Sequence, residues 1–473
     1  MRRNVILVLT ALTCACLVGS ASARAASTSH TWAAYQVGPM ETCVLNGDCD
    51  DDITAWDINA KGWVAGEAFP DYHWPWTWHE LSVPTPTSPG HTTTGDFTDT
   101  GFLAINSKGD TAGYTSNEQG GDPSETQAIL HTSGGYTLLG TLQGSTGDAW
   151  AYAVNDADTV VGGSTTNGGT EHAFMWTAGG GMVDLGTLGG ADSWATSLNG
   201  STQIVGWAEV ASGKRHAALW QNGSAADLGT LGGAESAANS INQSGEIVGW
   251  ADTKAGAQHA FIRTGSKLVD IGKLLTGATS SVANDVDNNG DVVGTAQGPN
   301  GEFSWLYTGG SMINLQQHTV TWGDIAGGAL NTTLQIVPRG ETTSVYAPVL
   351  EPVAAYDETS ARIHYTGTWT RSAHAGAWRG HVKTATQAGA TASFTFTGRR
   401  IWWIAPVGTY GKARVYVDGA LKSTVDLGNG SGDRQTAFVQ AFAGVGTHTI
   451  KIVVLSTPGR TRVAIDAFAV SQH

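Results

Sequence analysis

Seven residues upstream of seven regularly spaced Asn or Asp positions stand Asp52, Asp99, Asp148, Asp192, Glu235, Ser280 and Asp324, six of them acidic. Only 40 of the 473 residues are acidic, so composition alone does not explain the recurrence. Carboxylates gathered at one place can bind Ca2+ or hold a cationic ligand. As a pair about 5–9.5 Å apart they can act as acid and base in glycoside cleavage. On that reading Asp148, Asp192 and Glu235 are the candidate catalytic residues, and Asp52, Asp99 and Asp324 are candidates for ligand binding. The competing use is structural, because an Asp side chain caps a turn by accepting backbone N–H groups. Repetition favours capping, since a catalytic pair breaks symmetry.

Aromatic residues mark the other chemistry. Two positions beyond the acidic column, Trp150 and Trp194 align in neighbouring repeats. An indole offers an apolar face with a polar edge, which suits a sugar ring; packing between repeats is the rival use. Trp76 lies in the densest aromatic patch, with Tyr72, Trp74, Trp78 and His79. Near the C-terminus Trp369, Trp378 and Tyr410 are further sugar-platform candidates. Trp402 and Trp403 must point to opposite faces of a strand, which assigns one of them to the core. His172, His216 and His259 recur once per repeat and read as structural. The acidic run Asp48, Asp50, Asp51, Asp52 lacks the ligand spacing of an EF-hand and reads as a solvated loop. Apart from Ca2+ no cofactor is implied, and no metal ligand set is assigned. No GxSxG, HExxH or P-loop sequence occurs, so serine-hydrolase, zincin and P-loop nucleotide chemistry gain no support.

These residues are positioned by a repeat. The copies read DINAKGWVAG, AINSKGDTAG, AVNDADTVVG, SLNGSTQIVG, SINQSGEIVG, DVDNNGDVVG and ALNTTLQIVP. They are anchored at Asn59, Asn106, Asn155, Asn199, Asn242, Asp287 and Asn331, spaced 47, 49, 44, 43, 45 and 44 apart. Each is followed by a second strand-like run (HAFMW, HAALW, HAFIR) and a third (MVDLGTLGG, AADLGTLGG, LVDIGKLLT). Four short strands with Gly-rich turns in such a period is the content of one propeller blade. The seventh copy lacks its fourth run after Glu351-Pro352, whereas TWAAYQV (31–37) stands as a spare strand ahead of the first. Pairing the two would close the array and leave no open edge. The expected fold is all-β: a seven-bladed β-propeller closed by the N-terminal strand, plus a C-terminal jelly-roll β-sandwich. Six or eight blades stay open, because copies one and seven diverge most.

The HAF strand, DLGTLGG and the IN-x-x-G-x-[IV]-[VA]-G run resemble the HAF-repeat family of extracellular proteins over roughly residues 31–350. The resemblance implies an exported repeat domain. Residues 354–473 break the period with ATASFTF, RIWWIAP, a hairpin turning at Asp418-Gly419, HTIKIVVL and RVAIDAFAV. This segment is similar to galactose-binding-type jelly rolls through YTGTW, FTFTG, GKARVYVDG and VAIDAF, which implies glycan or cell-wall attachment.

At the N-terminus Arg2 and Arg3, an apolar stretch to Gly19 and small residues at 21–25 read as an export signal. The expected division is therefore signal 1–25, propeller 26–353 and sandwich 354–473. An exported chain would pair Cys43 with Cys49 in a disulfide. No later run is long and apolar enough to span a membrane. Residues 26–353 carry 34 acidic and 9 basic residues, and 354–473 carry 6 and 13. The acidic body argues against nucleic acid as a partner. The leading expectation is a secreted, monomeric protein that binds a polysaccharide or cell-surface glycan without catalysis. The alternatives are a glycoside hydrolase or polysaccharide lyase at the propeller mouth, and a structural interaction scaffold.

Overall fold

In a computed structural model the described residues are 32–37, 52–61, 63–69, 74–78, 99–116, 126–144, 147–315, 327–331, 336–338, 347–428 and 432–471. The protein is all-β, with single 3-10 turns at Gly272–Leu274 and Trp378–Gly380. No helix among the described residues is long and apolar enough to cross a membrane.

Residues 32–352 form seven antiparallel sheets taken in sequence order. Sheet four illustrates the plan: Gly189–Leu198, Ile204–Val210, Arg215–Gln221 and Ser224–Asp227 pair in that order. Sheet seven is the exception in connectivity. Its strands Gly327–Leu330, Ile336–Pro338 and Ala347–Pro352 are completed by Trp32–Val37, which pairs antiparallel with the last of them. The spare N-terminal strand of the sequence thus takes the place of the missing fourth run. The third run divides differently from its sequence reading. Only Gly181–Asp184 and its equivalents form the fourth strand, and the following Gly-Gly begins the first strand of the next sheet.

The first strands of successive sheets lie side by side, and that of sheet one also neighbours that of sheet seven. At their ends the anchor asparagines form a chain of bonds. Each Nδ2 donates to the main-chain oxygen of the next anchor: Asn59 to Asn106, Asn106 to Asn155, Asn155 to Asn199, Asn199 to Asn242 and Asn242 to Asp287. Asn331 Nδ2 returns to Asn59 O at 3.1 Å. The Oδ1 atoms of Asn59, Asn106, Asn155, Asn199 and Asn242 meanwhile accept turn N–H groups, as Asn155 does from Ala157 and Thr159. A buried carboxamide is thereby satisfied on both sides, the condition for burying it without loss.

Every first strand also carries a bulge three residues before its anchor, between Ala55 and Asp57, Phe102 and Ala104, and so on to Gly327 and Ala329. A bulge sharpens the local twist and re-aims one side chain. In sheets one to six a glycine faces the residue before the bulge: Gly66, Gly113, Gly162, Gly206, Gly249 and Gly294. On five of these a Cβ would sit 1.8–2.1 Å from a first-strand carbonyl oxygen, which is why the repeated strand ends in Gly.

Residues 354–471 form a seven-stranded and a three-stranded sheet around a second core. The runs ATASFTF and RIWWIAP are one continuous strand, Thr391–Val407. Trp402 and Trp403 point to opposite faces as expected, and both are fully buried. Trp403 joins the core with Ile401 and Ala405, and its Nε1 donates to Ala464 O. Trp402 lies on the opposite face with Ile404, which is equally buried, so this strand is covered on both sides.

Candidate functional site

The acidic column lies at the start of the first strands, away from the asparagine anchors. Asp148 Oδ1 accepts the N–H of Thr126 (2.7 Å), which opens the third strand of the preceding sheet. Asp192 Oδ1 does the same for Glu171 (3.0 Å) at the head of Glu171–Thr177. Glu235 meets Lys214 Nζ at 3.4 Å beside the next such strand. Asp148 and Asp192 therefore tie the start of a first strand to the third strand of the sheet before it. Asp52 and Asp99 begin the strands Asp52–Ile58 and Asp99–Ile105, and Trp76 lies in Trp74–Trp78. Asp324, Cys43 and Cys49 fall outside the described residues.

A column that the sequence reading missed stands one residue further on. Ser193 Oγ accepts from Ala173 N and donates to Gly186 O; Ser236 does likewise with Ala217 and Gly229. The repeated histidines are paired with the Asp of DLGTLGG: His172 Nδ1 to Asp184 and His216 Nδ1 to Asp227 at 2.8 Å, and His259 Nδ1 to Asp270 at 3.0 Å. Each pair joins the third strand to the fourth within one sheet.

Trp150 and Trp194 do come together. Their rings stack with centroids 5.8 Å apart, and Tyr152 tilts against Trp194 at 5.6 Å. Tyr152 is the bulge residue of its strand, and Trp194 lies over Gly163 of the neighbouring sheet, where a Cβ would stand 2.6 Å from the indole. The indoles thus pack between sheets while staying half-buried. Close by stands Glu171, whose carboxyl is held above its usual range by burial first, then by the Asp192 and Asp148 charges. The arrangement brings three half-buried aromatic rings and a carboxyl that keeps its proton more readily than usual to neighbouring strands.

The C-terminal domain assembles a second cluster. The turn 374–380, which carries Trp378, is held by three carboxylates distant in sequence. Asp466 accepts the Trp378 N–H at 3.0 and 3.1 Å, Asp433 bonds His374 Nε2, and Asp357 pairs with Arg379 at 2.9 Å. Arg379 adopts φ 57°, the left-handed region. Asp466 is fully buried; burial pushes its carboxyl up to about 8, against the opposing Trp378 N–H and Arg434. Tyr410 belongs to the same neighbourhood. Its hydroxyl is raised by burial, feels Asp433 and Asp466, and its ring carries Arg462 at 4.8 Å. Tyr410 is nevertheless buried in the hydrophobic core, which corrects its expected role as a sugar platform and leaves Trp378 as the half-buried candidate here. Trp369 is elsewhere, packed on Tyr365 at 5.1 Å with its Nε1 donating to Thr366 O.

No family model matches the chain. Over 111 residues, 23% of its length, it is 33% identical to the A type blood N-acetyl-alpha-D-galactosamine deacetylase of Flavonifractor plautii. Over 104 residues it is 32% identical to the A type blood alpha-D-galactosamine galactosaminidase of the same organism. The chain spans 14% and 10% of the length of these relatives. Among solved structures, an exo-beta-1,3-galactanase from Phanerochaete chrysosporium covers 88% of this chain and 94% of its own at 11% identity and a TM-score of 0.32. A family 35 carbohydrate binding module from Clostridium thermocellum covers 25% of this chain and 98% of its own at 10% identity and a TM-score of 0.20. Scores this low decide nothing about fold.

Proposed function

We propose that this chain is an exported glycan-interacting protein, a seven-bladed propeller closed by its N-terminal strand and joined to a jelly-roll sandwich of the galactose-binding type. The signal at 1–25, the HAF-type repeats and the boundary near 353 belong to the same reading. The observation that carries it is the 111-residue match at 33% identity to an enzyme named for N-acetyl-alpha-D-galactosamine. Support for the propeller comes from the anchor bonds returning from Asn331 to Asn59 and from Trp32–Val37 completing sheet seven. The half-buried Trp150 and Trp194 with Tyr152, and the half-buried Trp378, are the aromatic platforms of this reading.

The full chain is expected to be retained on at least one immobilised polysaccharide or glycan of a panel that includes galactosamine-bearing ones. Trp194→Ala or Trp378→Ala then weakens retention by about tenfold, the worth of one aromatic contact. Absence of retention on every glycan, by a chain shown to be folded, would sink the proposal.

A second reading, a glycoside hydrolase, is favoured by one observation: the Glu171 carboxyl is held above its usual range by burial and by the neighbouring Asp192 and Asp148, a grouping of carboxyls that acid–base cleavage can use. On this reading Glu171→Gln abolishes release of reducing sugar. Asp148→Ala and Asp192→Ala each lower stability by about 1 kcal/mol through the lost hydrogen bond, and the one that serves as the base also loses turnover. Equal, stability-linked effects of all three would favour binding alone.

A further inference from the structure

We propose that Asp287 is a proton-operated latch between the sixth and seventh sheets, because only its acid form can donate the hydrogen bond that an asparagine donates at every other joint. Six of the seven anchors are Asn, and all six carboxamides give Nδ2–H to the next anchor's main-chain oxygen, at 2.9–3.3 Å. Asp287 is the remaining anchor, sixth in order, with the same turn geometry. Its Oδ1 accepts the N–H groups of Asn289 (2.8 Å) and Asp291 (2.9 Å), as Asn242 Oδ1 accepts those of Ser244 and Glu246. Its Oδ2 therefore stands where the others carry NH2, and there it accepts from Asn289 Nδ2 at 2.9 Å instead of donating. An ionised carboxylate only accepts; a protonated one has a single O–H to give. At this joint the next anchor is Asn331, and Asp287 is 4% exposed, so water is a poor substitute partner.

The surroundings make the proton available. Burial, and after it the Asp291 carboxylate, push the Asp287 acid up to about 6, while its N–H donors and the Asn289 side chain oppose the shift. Glu246 of sheet five reaches the same turn, its Oε2 lying 3.0 Å from where a Cβ on Gly290 would stand. Asp285 on the same strand is committed elsewhere, to Leu330 N of sheet seven at 2.8 Å and the Ser240 hydroxyl at 2.6 Å. Among the described residues the charged groups named around the latch are thus acids, which favour its protonated form. The joint it governs flanks the sheet that is completed by the N-terminal strand, where the ring of sheets is joined by pairing rather than by chain continuity.

The test compares the full chain with Asp287→Asn and Asp287→Ala by hydrogen exchange of the Leu330 and Asn331 amides between pH 4.5 and 8, corrected for intrinsic rates. At pH 7.5 the Asn variant is expected to open this joint up to about 100-fold less often than the parent, the equivalent of a two-unit pKa shift. The parent should approach the variant as pH falls through about 6. Asp287→Ala, which loses the turn acceptor as well, should open readily at every pH. Identical exchange of parent and Asn variant at pH 7.5 would overturn the latch, as would survival of the parent's pH dependence in either variant.

Discussion

Gly206→Ala is expected to destabilise the repeat domain by about 3 kcal/mol or more, at the upper end of overpacking costs. The added Cβ would lie 1.9 Å from Trp194 O and 3.0 Å from Ala195 Cα. Both are backbone atoms of the bulged first strand, so no rotamer change relieves the clash. Relief requires undoing the bulge, which would shift Ser197 and Leu198 against Val205 and Ile204 and re-aim the anchor Asn199. That anchor donates to Asn242 O and accepts from Ser201 and Gln203, so the disturbance would reach sheet five. Gly179→Ala is the control, since its Cβ meets nothing within 4 Å and its φ is not in the left-handed region; it should change stability by less than about 1 kcal/mol. Chemical denaturation of both variants reads the difference. Equal midpoints for the two would contradict the close approach.

Asp466→Asn is expected to remove most of the pH dependence of the C-terminal domain's stability. An acid whose pKa rises on folding holds its proton more tightly in the folded state, so stability falls as pH rises from the unfolded value toward the folded one. For Asp466 that window runs from about pH 4 to about pH 8. Across it the parent should lose about 4–6 kcal/mol from this one group, as a shift of this size implies. The amide of the Asn variant still accepts the Trp378 N–H and has no charge to bury. Variant and parent should therefore agree near pH 4.5, and the variant should be the more stable above pH 8. Unfolding followed by near-ultraviolet circular dichroism, with exchange of the Trp378 amide as the local readout, gives the comparison. A slope in the variant as steep as the parent's would assign the titration to another group.

Much of the architecture is legible in the sequence because it repeats. The spacing of Asn59 through Asn331, the missing last run and the spare TWAAYQV strand lead to seven sheets whose first and last strands pair. The reason for each repeated residue is less legible. The recurring Gly reads as a turn signal, yet it sits within a strand opposite a bulge, and a bulge leaves no mark in hydropathy. The Ser193 and Ser236 column was missed because Ser is common and its bonds run to the preceding sheet, 20 and 19 residues away. Asp148 and Asp192 were visible as a column, but only geometry shows their oxygens taken up by Thr126 and Glu171 N–H groups. In the C-terminal domain, His374, Asp433 and Asp466 share no spacing at all. They meet because the long strands Thr391–Val407 and Gly432–Val454 carry distant residues to one end of a sheet.

Equilibrium binding of the full chain to a glycan panel, beside a chain carrying both Trp194→Ala and Trp378→Ala, tests the central claim most directly. The account predicts saturable binding of at least one glycan by the parent and a loss of about tenfold or more in the folded double variant. Binding that is absent from the parent, or present with equal affinity in both chains, would contradict it.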